Sequence, residues 1–226
     1  MSCPSSRRSP PRQRRKHFGP IHSVGRSTPC SSPRWTDTWI TCCGRTNNPC
    51  STAFPHGRRV GSRCGANLRY LRAGTRLIAV EPNRAMHDRL RSRAARAHID
   101  LELHTTGAER LDLPDDSVDA VISSLVLCTV TDPGAVLTEV HRILRPGGRY
   151  AFLEHVAAPD GTALRRLQRA TRRPWSWTFE GCSCERDLRA DIEAAGFAET
   201  TVEAYRLRSP FLQVNTQIAG VARKGG

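Results

Sequence analysis

Five groups of residues in this chain have types and spacings that could do chemistry. Glu81 ends the apolar run Leu77–Val80 and is followed by Pro82. Ala108-Glu109 lies in a turn before a second acidic turn, and Ser123-Ser124 falls within the apolar run Val118–Leu127. Glu154-His155 follows a third apolar run, and Gly61 and Gly65 form a spaced glycine pair. A carboxylate at a strand end can accept two hydrogen bonds from vicinal ribose hydroxyls; an exposed turn acid is the plainer reading of Glu81 in isolation. Spaced glycines let backbone approach a ligand closely. Glu154 and His155 could accept a proton from an incoming nucleophile, or form a structural pair at a strand end.

These residues need a frame. Arg76–Val80 reads as a short buried strand that ends at Glu81, because Pro82 continues a central strand poorly. A helix is expected from Arg84 to about His98, with Met86, Leu90, Ala94 and Ala97 along one side. Leu101–His104 alternates as a second strand, and Val118–Leu127 suits a strand covered on both faces. Pro133 and the Pro146-Gly147-Gly148 stop bracket a helix with Val136, Leu137, Val140, Ile143 and Leu144 as its apolar positions. Strand Tyr150–Val156, helix Arg186–Ala195 closed by Gly196, and strands Thr200–Arg206 and Gln217–Ala222 complete the reading. Strands alternating with helices predict an α/β fold with a parallel, doubly wound sheet. Ligands in such sheets lie beyond the carboxyl ends of the strands. Glu81, Ala108-Glu109, Ser123-Ser124 and Glu154-His155 should therefore ring one crevice.

The charge is unevenly placed. The 226 residues carry a formal net charge of +14, but residues 1–64 hold 12 of the 35 basic residues and one acid, Asp37. The remaining 23 basic and 20 acidic residues nearly balance, so specific nucleic-acid binding is not expected of the domain. A basic nucleic-acid module confined to the first 64 residues is a separate reading. No run of 18 apolar residues occurs, so no membrane span is expected. With no secretory signal core, the expected compartment is the cytoplasm. Cysteine is not dense throughout, which argues against a secreted disulfide scaffold.

Residues 1–59 are read as a head and 60–226 as the domain. The head is rich in Arg, Pro, Ser and Cys and shows no helical or strand period. It fits a disordered basic tail, and it fits equally an out-of-frame reading of GC-rich coding sequence. Cys42, Cys43, Cys50, His56 and Cys64 lack the paired rhythm of a zinc site. Cys182 and Cys184, near Trp175 and Trp177, read as packing residues of a pocket lid, since a metal there would need two further ligands. No metal is expected.

The stretch GAERLDLPDDSVDAVISSLVLCTVTD, followed by RILRPGG and its strand, resembles the class I S-adenosylmethionine-dependent methyltransferases. LEHV at 153–156, RRPW at 172–175, Gly181-Cys182 and Ala195-Gly196-Phe197 resemble the small-molecule branch that includes quinone-biosynthesis and thiol methyltransferases. The resemblance covers roughly Gly65 to Lys224. It implies a Rossmann-like, seven-stranded sheet, S-adenosylmethionine as cofactor and a small-molecule methyl acceptor. It also implies ribose contact at Glu81 and Pro82, an adenine border at Ala108 and Glu109, and Ser123, Ser124 and Leu125 near the methionine end. Gly61 and Gly65 match the outer glycines of the family's G-x-G-x-G loop.

The departures lie early. Arg63 occupies the middle glycine, and Phe54–Val60, reading FPHGRRV, stands where the family has an apolar first strand. The first strand is therefore expected to be degraded. Gly107 stands where the adenine turn usually carries an acid. No Asn-Pro-Pro-aromatic motif of amino-group acceptors is present. The alternatives are a catalytically lapsed protein of this fold and a nicotinamide-dependent oxidoreductase. The latter lacks a G-x-G-x-x-G after an apolar strand.

Overall fold

The computed structural model describes residues 58–61, 68 and 70–226. The rest of the head, Gly65, Arg63 and the candidate ligands Cys42, Cys43, Cys50, His56 and Cys64 lie outside the described residues.

Among the described residues the sheet has seven strands: β1 Arg58–Gly61, β2 Arg76–Val80, β3 Asp100–His104, β4 Val118–Ser124, β5 Leu144–His155, β6 Glu199–Arg206 and β7 Thr216–Arg223. Their order is β3-β2-β1-β4-β5-β7-β6. The helices are α1 His87–Arg96, α2 Pro133–Ile143, α3 Ala163–Thr178 and α4 Leu188–Ala194.

The expected loss of the first strand is corrected. Arg58–Gly61 pairs in parallel with β2 and with β4, with Val60 between Ile78 and Val121. Its sequence is a poor strand former, but two intact neighbours supply ladder partners on both sides. Tertiary pairing overrides propensity in such a position.

The sheet is not wholly parallel, which corrects a second expectation. β7 runs antiparallel to both β5 and β6. Gly220 permits that insertion, since a Cβ there would collide with the Thr201 carbonyl oxygen and stand 2.6 Å from the Phe152 ring.

The core follows the hydrophobic runs. Four of the five β2 residues are buried, as a strand covered on both faces requires. Leu77 and Ala79 pack with Leu90, Ala94 and Ile99. α1 stops at Arg96, two residues short of the expected end, because His98 turns left-handed at φ +51°. α2 begins where the sequence places it: Pro133 opens the helix and Asp132 Oδ1 accepts the Ala135 N–H at 3.0 Å.

Two boundaries move. β4 ends at Ser124 rather than Leu127, because Leu125 turns left-handed at φ +59°. The Pro146-Gly147-Gly148 stop lies inside the irregular start of β5. Val118 pairs with Leu144 and Ala120 with Arg149, so the intervening residues bulge out of register. Gly147 takes φ +74°, and a Cβ on Gly148 would meet the Arg145 carbonyl oxygen at 2.7 Å.

Helix α3 is absent from the sequence reading. Its arginines and Pro174 mask a stripe of Leu164, Leu167, Thr171 and Trp175, and Thr162 Oγ1 caps it by accepting the Arg165 N–H at 3.1 Å. Gln168, buried on that helix, bonds the Val156 and Gln213 carbonyls and the Ala158 N–H, fixing α3 beside the end of β5. Among the described residues no helix is long and apolar enough to cross a membrane.

Candidate functional site

The strand order reverses between β1 and β4. An open α/β sheet offers its ligand crevice at such a switch point, beyond the carboxyl ends of the strands. Gly61 ends β1 there, between Ala79 and Ile122.

Glu81 is held at the end of β2 from three directions. Its N–H donates to the His104 carbonyl at 2.9 Å, and its own carbonyl accepts from His87 Nε2 at 2.8 Å. Its Oε1 accepts the Asn83 N–H at 2.9 Å. The residue is buried, yet Oε2 takes no hydrogen bond from a described residue. A fixed carboxylate whose second oxygen no described residue engages, beside the switch point, fits a ribose diol. His87 escaped the sequence reading; its one signal is a histidine in the helix turn directly after the acid.

Pro82 is exposed beside Glu81, and Ala108 and Glu109 are half-buried. Glu109 Oε1 accepts the Thr131 N–H at 3.2 Å, joining its turn to the loop after β4. Gly107 leaves room for this: a Cβ there would stand 2.7 Å from Glu109 Oε2. The family's acid at that position is therefore incompatible with the pose of Glu109.

The same turn is clamped from below. Arg142 donates to the Leu111 and Leu113 carbonyls at 3.2 and 2.8 Å, to Asp115 Oδ1, and to both oxygens of Glu139. Glu139 Oε1 also accepts the Leu111 N–H at 2.6 Å. The Arg142 guanidinium, aided by that N–H, holds the Glu139 carboxyl below its ordinary range.

Ser123, Ser124 and Leu125 part company. Ser123 is buried, donating to Glu154 Oε1 at 3.0 Å and lying 2.8 Å from the Tyr150 hydroxyl. Its hydroxyl is spent inside the fold rather than in the crevice. Ser124 and Leu125 are half-buried at the strand end. The left-handed backbone at Leu125 is a costly conformation for a branched side chain, of the kind that clusters at ligand sites.

Glu154 is 0% exposed. Its carboxylate accepts the Val126 N–H at 3.1 Å and the Cys128 N–H at 3.3 Å, as well as Ser123. Burial pushes its pKa up, against the pull of these donors. Such an acid orders the loop after β4; its oxygens are occupied. His155 is buried too, with Nδ1 facing cysteine sulfurs. Neither side chain is exposed to an acceptor.

The aromatic lid is partly corrected. Trp175 is buried and stacks on Phe179 at 4.0 Å, with Phe211 at 6.3 Å. Trp177 is 89% exposed and lines no interior surface.

The profile of the methyltransferase domain family matches residues 59–152, a span that begins within β1 and ends within β5. Thiol S-methyltransferase TMT1B of Rattus norvegicus is 35% identical over 168 residues, covering 73% of this chain and 69% of the relative. Ubiquinone/menaquinone biosynthesis C-methyltransferase UbiE of Rubrivivax gelatinosus is 35% identical over 82 residues, 36% of this chain and 32% of the relative. Among solved structures, a SAM-dependent methyltransferase of Thermotoga maritima, described as a possible histamine N-methyltransferase, superposes with a TM-score of 0.57. It is 20% identical, over 84% of this chain and 89% of that one, and shows the shared fold.

Proposed function

The chain belongs to the class I S-adenosylmethionine-dependent methyltransferases, and from that premise we propose that it binds S-adenosylmethionine at the β1–β4 switch and methylates a small-molecule thiol. The observation that carries the reading is Glu81: a buried carboxylate locked at the end of β2, with one oxygen that no described residue engages. The thiol preference rests on the similarity to thiol S-methyltransferases over 73% of the chain.

When bound, S-adenosylmethionine supplies an electrophilic methyl group on a sulfonium. Glu81 would hold the ribose, with Pro82 beside it. Ala108 and Glu109 would border the adenine, in a turn that Arg142 and Glu139 keep fixed. Ser124 and Leu125 would lie near the methionine end, where Gly61 allows close backbone approach. Glu154 works at one remove by fixing the loop from Val126 to Cys128.

Positioning and water exclusion are the main demands of an in-line displacement. A thiol needs little more, since its pKa of about 8.5 leaves some thiolate at neutral pH. Glu154 and His155 are buried and engaged, so no general base is assigned. The rate should therefore rise with pH as the acceptor ionises.

The test offers the full chain an isotope-labelled methyl donor with an alkyl thiol, a primary amine and a phenol of similar size. Labelled thioether from the thiol, at a rate at least about tenfold above the other two, is expected. Equal or greater labelling of the amine or phenol would overturn the thiol reading.

A further inference from the structure

Three stretches of chain far apart in sequence bring metal-ligating side chains to one buried point. Cys128 follows β4, His155 ends β5, and Cys182 and Cys184 lie between α3 and α4. Cys128 Sγ is 3.9 Å from Cys182 Sγ and 3.8 Å from His155 Nδ1. Cys182 Sγ is 3.6 Å from His155 Nδ1 and 3.7 Å from Cys184 Sγ. All three cysteines are free thiols, and all four residues are at most 5% exposed.

The spacing is close to that of a tetrahedral zinc ion. Zinc binds thiolate sulfur at about 2.3 Å and imidazole nitrogen at about 2.0–2.1 Å, so tetrahedral neighbours stand about 3.5–3.8 Å apart. The three edges of the Cys128–His155–Cys182 triangle measure 3.9, 3.8 and 3.6 Å. Packed thiols can approach each other as closely. Here an imidazole nitrogen, not a carbon edge, faces two sulfurs at once.

The triangle is also held from outside. The Ser183 N–H donates to the Cys128 carbonyl at 2.6 Å, and Arg186 donates to the Leu127 carbonyl at 2.6 Å. Gly181 takes φ +84° against the Thr129 carbonyl. The loop carrying Cys182 and Cys184 thus docks on the loop after β4 by one main-chain bond and one arginine side chain.

We propose that Cys128, His155 and Cys182 form a structural zinc site, with Cys184 moving in as the fourth ligand, that staples the segment between α3 and α4 to the ends of β4 and β5. Binding releases the thiol protons to solvent, and no redox partner is required. Full burial argues for a closed, structural site, since a catalytic zinc keeps a position open to substrate.

The test uses the full chain with Cys3, Cys30, Cys42, Cys43, Cys50 and Cys64 all changed to serine, so that sulfurs in the head cannot contribute. One zinc per chain should survive gel filtration, by elemental analysis. Cobalt should replace it with the strong visible bands of a tetrahedral centre and a thiolate charge-transfer band. Cys182→Ser and His155→Gln should each lower zinc affinity at least about tenfold. Cys184→Ser should weaken the charge-transfer band, and an unchanged band would overturn its part. If the ligand variants fail to fold, chelation answers instead: stripping the parent protein should lower its Tm, and zinc should restore it. A folded parent that neither retains zinc nor gives a tetrahedral cobalt spectrum would overturn the proposal. So would a Cys182–Cys184 disulfide in the protein purified without oxidant.

Discussion

Glu154 Oε1 accepts the Val126 N–H at 3.1 Å, across 28 positions of chain. The acid at the end of β5 thereby fixes the turn that ends β4. Two neighbouring strands on one side of the switch point share a buried carboxylate, and the left-handed Leu125 sits between its two anchors. The shape of the crevice beside Ser124 depends on a residue that does not face it.

The protonation of Glu154 gives a signed expectation. Burial raises its pKa in the folded state above the unfolded value. The folded protein therefore binds more protons than the unfolded chain in the window between those two values. Stability from this group is fully present below the ordinary carboxyl range and is lost as pH rises through the folded pKa. Glu154→Gln should remove that slope, read from Tm against pH for both proteins. Identical slopes would contradict the assignment.

Arg142 should matter to both stability and cofactor. It is the shared partner of Glu139, Asp115 and two carbonyls of the turn after Glu109. Arg142→Ala leaves a mostly buried Glu139 without its cation, at a cost of about 2–3 kcal/mol in denaturant titration. Affinity for S-adenosylhomocysteine should fall with it. A change below about 0.5 kcal/mol would place the clamp among solvated surface pairs.

Gly107→Ala separates affinity from stability. The new Cβ would meet Glu109 Oε2 at 2.7 Å, and a flexible carboxylate can yield. Glu109 would leave the Thr131 N–H, so affinity for S-adenosylhomocysteine should fall about three- to tenfold, or about 0.7–1.4 kcal/mol. Stability should stay within about 0.5 kcal/mol. Unchanged affinity would remove Glu109 from the adenine edge.

The parts of this fold legible in sequence are those whose signals are local. The β2 run with its terminal acid, the Asp132-Pro133 helix start and the Gly196 stop each carry their instruction within a few residues. What stayed hidden depends on distant partners. β1 is ordered by Ile78 and Val121 on either side, not by the residues of its own sequence. α3 reads as a polar, proline-broken stretch until Gln168 and Trp175 find their partners. Cys182 and Cys184 show no ligand rhythm, because Cys128 and His155 reach them from two other segments. Glu154 could be read as a strand-end proton acceptor because its backbone donors lie 26 to 28 residues upstream.

The most direct measurement is calorimetric titration of S-adenosylhomocysteine into the full chain and into Glu81→Ala. The account expects one site per chain in the parent, weakened about ten- to a hundredfold in Glu81→Ala, or about 1.4–2.7 kcal/mol, with an unchanged circular dichroism spectrum. A folded parent that does not bind, or a Glu81→Ala variant that binds as well as the parent, would contradict it.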